Sequence, residues 1–194
     1  METYEFSQGA PPPGQVSVWP TAMRHGAIWG AVGILVTLTA FLTDTDPALP
    51  STGAMAKTLW FLIGTGAAVA SVVMAILHHR DKELGGFLKL SRAMGMGVAV
   101  GLVAGALIGV YGILHVTVIH PGWAEQMQAG MMEQMMEQGM ADEQAEQTAG
   151  MFSFMFNPFF QLIGGLLNGA FMGFLIGLFS GLVLKKEQPS GGMR

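Results

Sequence analysis

The sequence predicts an all-α integral membrane bundle of four transmembrane helices, with an amphipathic outer-surface helix between helices 3 and 4. Three observations predict it. Four apolar runs, none containing Asp, Glu, Lys or Arg, reach the length a helix needs to cross a bilayer. Only 11% of the 194 residues are charged and 51% are hydrophobic, whereas a soluble domain is roughly 25% charged. All but one of the nine Lys and Arg residues fall in segments that a four-span topology puts on one side. The same composition excludes a disordered chain. The chain has no Cys, so disulfides, a thiolate nucleophile and a thiolate metal site are excluded. A net charge of -4 argues against nucleic acid as a partner.

Residues 1–21 read as a flexible Pro-rich tail carrying Pro11, Pro12 and Pro13. No basic stretch precedes the first apolar run and no small-residue cleavage site follows it, so a tail is expected here and not a secretory leader. The membrane domain is placed at 22–186, with spans at about 26–42, 58–77, 93–119 and 159–184. The first is short and borrows from its flanks, while the last two are long enough to tilt. Buried helices of a soluble core would need a charged face, and these have none. Residues 187–194 form a second tail. With the N-terminus inside, the inner segments hold Arg24, Arg80, Lys82, Lys89, Arg92, Lys185, Lys186 and Arg194. The outer loops hold only Lys57, and the loop over 120–158 carries acids alone. Loops rich in Lys and Arg stay in the cytoplasm, so both termini are expected there.

Glycines recur every fourth residue in two spans. The third carries Gly97, Gly101, Gly105 and Gly109, and the fourth Gly165, Gly169, Gly173, Gly177 and Gly181. The first has Gly26 and Gly30, and the second a softer row of Ala67, Ser71 and Ala75. Residues four apart share a helix face. A bare face lets two backbones approach, and van der Waals contact then supplies the association that hydrophobicity cannot supply in lipid. Packing of span 3 on span 4 within one chain is expected ahead of a homodimer.

Polar side chains in or near the spans are Thr37, Thr39, Thr65, Ser71, Tyr111, His115, Gln161, Asn168 and Ser180. Asn168 lies well inside the fourth span and is expected to bond to a neighbouring helix. His115 is expected at the interface with its tip in water, and His78 and His79 as headgroup contacts. No span holds a carboxylate or amine of the kind that ion-coupled transporters use. No Walker, HExxH or GxSxG pattern occurs, and neither Ser71 nor Ser180 has a His within reach in this topology. An enzyme is not expected, and no cofactor is implied.

Trp123 to Asp142 winds into an amphipathic helix. One row is Trp123, Met127, Met131 and Met135, with Met132, Met136 and Met140 beside it and Glu and Gln opposite. Pliable Met side chains suit a surface cap that packs on lipid or on span ends, or a surface for a partner protein. Thioethers also select soft metals such as copper, for which Met131, Met135, His115 and His120 would be the donors.

These features together resemble a known family. Arg24-His25-Gly26 enters the first span and His78-His79-Arg80-Asp81-Lys82 ends the second. Gly86-Phe87-Leu88-Lys89-Leu90-Ser91-Arg92-Ala93 leads into the Gly-rich third. Gly139-Met140-Ala141-Asp142-Glu143-Gln144 follows in the acidic loop, and Lys185-Lys186 closes the fourth span. From Ala22 to Lys186 the chain resembles domain-of-unknown-function family 4199 (DUF4199), small bacterial membrane proteins. The resemblance implies four helices in the inner membrane and no particular activity. The expected role is a non-enzymatic accessory or regulatory membrane component, as a homodimer or with another membrane protein. The alternative is a small transporter for a neutral solute or a soft metal, with Asn168, Gln161 or Thr65 in a polar cavity.

Overall fold

A computed structural model describes residues 16–186; the expected tails lie outside the described residues, apart from residues 16–21. Six α-helices follow one another: α1 (Trp19–Leu42), α2 (Ala54–His78), α3 (Leu90–Leu114), α4 (Trp123–Glu137), α5 (Asp142–Phe152) and α6 (Pro158–Leu184). There is no named strand among the described residues. π-helical turns extend α2 over His79–Glu83 and α3 over His115–Ile119. Four helices are long and apolar enough to cross a membrane: Trp19–Leu42, Ala54–Glu83, Leu90–Ile119 and Pro158–Leu184. Large side chains such as Leu35, Leu62, Val110 and Phe179 stay exposed on them, as lipid-facing surfaces require. The chain is a membrane protein.

The span boundaries move outward from the apolar runs. α1 begins at Trp19, before the run, because Pro20 suits a first helical turn. α6 starts where the Asn157 side chain accepts from the Phe159 amide at 2.9 Å and Pro158 follows the cap. Between α3 and α6 the structure has two helices where the sequence predicts one. Gly139 adopts φ 88°, a left-handed conformation that ends α4. Asp142 and Glu143 then stand in the first turn of α5, where the helix dipole favours acids. Met127, Met131, Met132 and Met135 of α4 are half-buried, while Glu125, Glu133 and Glu137 are exposed.

α3 is the hub, packed on α1, α2 and most extensively on α6. Gly97, Gly101 and Gly105 face Gly173, Gly169 and Gly165 in antiparallel register, and a Cβ on any of them would meet the opposing carbonyl oxygen. The seam continues with Gly109 on Leu162, Gly177 on Ala93 and Gly181 on Leu90. On another side of α3, a Cβ on Gly26 of α1 would lie 2.6 Å from Val103, and one on Gly30 2.9 Å from Leu107. Both glycine rows therefore pack within the chain. The buried residues of α2, from Ala68 to Ile76, lie in its second half. Near its start Met55, Leu59, Phe61 and Leu62 are exposed, so α2 seals one end of the bundle and not the other.

The sealed end gathers the starts of α1 and α3 and the ends of α2 and α6, which bring Arg24, Arg80, Lys82, Lys89, Arg92, Lys185 and Lys186 to one end. Leu88 and Lys186 exchange backbone hydrogen bonds of 2.9 and 3.0 Å there. We call it the basic end, and the opposite one the acidic end.

Candidate functional site

Each end holds a buried histidine at the start of a π turn. At the basic end, His79 is fully buried. Its Nε2 accepts from Arg92 Nε at 3.2 Å, which puts the ring proton on Nδ1, 2.5 Å from Glu83 Oε2. The Thr21 hydroxyl donates to the other Glu83 oxygen, and Arg92 also donates to the Val16 carbonyl. α1, α2 and α3 are thus latched by one network. His79 departs from the expected headgroup role because Glu83 and Arg92 converge on it and close it off. His78 stays partly exposed, with Glu83 3.9 Å away. The ring of His25 lies 6.2 Å from that of His78, and its buried Nδ1 has no partner. These groups do not form a metal cage: among the described residues, no three His, Asp or Glu are placed to hold an ion.

At the acidic end a cavity of about 280 Å³ opens between α1, α3 and α6, where no α2 residue reaches. α1 contributes Val36 and Thr37, the following loop Asp46, Pro47 and Ala48, and α6 Gln161 and Gly165. α3 contributes Ile108, Gly109, Tyr111, Gly112, His115 and Val116, and Trp123 completes the wall. His115 is 3% exposed, which departs from the expected tip in water. The cause is the chain folded over it. Asp46 Oδ2 accepts from Trp123 Nε1 at 3.0 Å, and Oδ1 accepts from the Ala48 amide at 2.9 Å. That pins the start of α4 to the α1–α2 loop, and Gly130 packs on Pro50 beyond it. Phe41 presents its ring 5.3 Å from that of His115 and 5.1 Å from that of His120.

The polar atoms here are incompletely paired. Tyr111 Oη lies 3.3 Å from His115 Nδ1. His115 Nε2, Gln161 Nε2 and His120 Nδ1 are buried without a partner. Buried polar atoms without a protein partner are rare in folded chains. The arrangement is that of a small-molecule pocket: apolar walls with a few converging polar groups.

The other residues singled out in the sequence fall elsewhere. Met131 and Met135 do not line the cavity, although the rings of His115 and His120 are 6.1 Å apart. Neither Ser71 nor Ser180 lines the cavity that holds His115. Asn168 is exposed on α6 and makes no hydrogen bond among the described residues, where a bond to a neighbouring helix was expected. The glycine row carries the signal for this. Asn168 precedes Gly169 by one residue, so it points about 100° away from the face that meets α3. Asp46 and Trp123 were missed as a pair because they lie far apart in sequence.

No curated protein and no solved structure matches the chain. A family model does match, over residues 24–186, nearly the whole membrane domain. The chain belongs to the family described as protein of unknown function (DUF4199).

Proposed function

We propose that the chain is a non-enzymatic accessory or regulatory component of the bacterial cytoplasmic membrane, acting by pairing with a second copy of itself in the bilayer. The acidic end then faces outward and both termini lie in the cytoplasm, as the Lys and Arg distribution favours. Asn168 carries the reading. It sits roughly 5 Å along the axis from the midpoint of α6, exposed and unpaired, where hydrocarbon offers no hydrogen bonds. A primary amide is donor and acceptor at once, so two copies related by a twofold axis satisfy each other. Leu167 and Phe171 beside it are 66% and 60% exposed, and Gly164 one turn away leaves an open notch.

The transporter reading draws on Gln161, which does line a cavity. Against it, the α3–α6 seam beneath that cavity is closed by backbone contact.

Energy transfer between donor- and acceptor-labelled copies in liposomes, diluted with lipid, tests the pairing. The wild type is expected to pair, and Asn168→Leu to pair about tenfold more weakly, the equivalent of one to two interhelical hydrogen bonds. Equal transfer in both proteins would refute the role of Asn168. Capture of a different membrane protein, lost in Asn168→Leu, would keep the accessory role and replace the second copy.

A further inference from the structure

We infer that the cavity at the acidic end binds the carbonyl oxygen of a neutral, membrane-soluble molecule, held by two donors, His115 Nε2 and Gln161 Nε2. This goes beyond the pairing above and does not depend on it, because Asn168 lies outside the cavity.

The donor character follows from the local chemistry. Among the described residues the Tyr111 hydroxyl has one hydrogen-bond partner, His115 Nδ1, 3.3 Å away. We assign the phenol as donor to Nδ1, an assignment that places the ring proton on Nε2. Nε2 then is a buried N–H with nothing to donate to. The amide nitrogen of Gln161 is a second such donor, brought in from α6. A Cβ on Gly112 would lie 3.3 Å from Gln161 Oε1, so the glycine leaves the amide its place. Two unsatisfied donors from two helices call for an acceptor.

The walls decide what carries that acceptor. Asp46, itself buried, lines the cavity with both carboxylate oxygens already accepting. An anion would meet this negative charge, so a neutral group is selected. Val36 and Ile108 line the interior, which suits an apolar body. The volume, about 280 Å³, is near the lower limit of small-molecule pockets, roughly 300 Å³. It takes one ring or a short chain segment. Within a membrane, neutral carbonyls of this kind occur on ester lipids and on quinones.

The test uses the full chain in alkyl maltoside micelles, which contain no carbonyl. The probes are an alkyl-substituted 1,4-benzoquinone, dioctanoylglycerol, and an alkylbenzene of matched length as the carbonyl-free control. Equilibrium dialysis reads binding, and infrared spectroscopy reads the carbonyl stretch. Saturable binding of one carbonyl probe, with its stretch shifted to lower wavenumber, is expected and identifies the source. Binding of both would mean that the carbonyl alone is read. His115→Leu and Gln161→Leu should each weaken binding about tenfold, the loss of one buried hydrogen bond. Tyr111→Phe should weaken it about twofold, because the ring then populates both tautomers. Circular dichroism checks that each variant is folded. The inference is overturned if neither carbonyl probe binds, if the alkylbenzene binds as tightly, or if the folded His115 and Gln161 variants bind like the wild type.

Discussion

His79 and His115 occupy matching places at opposite ends of the bundle. Each opens the π turn that closes a span, and each is buried. Their surroundings differ. Both ring nitrogens of His79 have partners, and the network that holds them joins three helices. His115 has one partner from its own helix and one bare nitrogen at a cavity. The same local device therefore serves cohesion at one end and leaves a binding group free at the other. The difference traces to α2, which packs into the bundle over its second half and leaves the first half outside.

The contrast can be broken at several points. The largest effect is expected between the two ends, on the seam that both depend on. Gly101→Val puts a side chain against the Gly169 carbonyl and should cost about 3 kcal/mol, the upper range for overpacking. Gly164→Val enters open space and should leave thermal unfolding in detergent nearly unchanged. Similar melting of the two variants would contradict the packing described.

Glu83→Gln comes next. It takes a carboxylate from His79 and Thr21 at once and should lower stability by about 1–3 kcal/mol. His115→Leu, at the matching place, removes one unpartnered nitrogen and a single 3.3 Å contact with Tyr111, and should stay within about 1 kcal/mol of the wild type. If His115→Leu proved the more damaging, the division into a cohesive and an open end would fail. Trp123→Phe removes one hydrogen bond to Asp46, worth about 1 kcal/mol. Amide exchange should quicken over 120–130 and stay unchanged around His79. Met131→Leu and Met135→Leu are volume-conserving and should cost under about 1 kcal/mol. Because neither lines the cavity, occupancy should not change. Loss of bound copper in these variants would revive the soft-metal reading of the loop.

The spans were legible because bilayer thickness writes itself into the length of apolar runs. The seam was legible because a row of Gly at every fourth residue marks one helix face. The break at Gly139 was less so: a mid-helix glycine lowers helix propensity without saying whether the helix ends. The site was mostly hidden. His115 looks interfacial until Asp46 and Trp123, far apart in sequence, fold the chain over it. His79 looks like a headgroup contact until Arg92 arrives from the next helix. Gln161 was visible as a polar residue near a span, but the space around it exists only because α2 diverges.

A crystal structure of the protein grown from a lipid mesophase tests the central claim, that the acidic end is built to be occupied. The account predicts non-water density in the cavity, with an acceptor atom within hydrogen-bond distance of both His115 Nε2 and Gln161 Nε2. A closed cavity, with those two side chains bonded to each other or only to water, would contradict it.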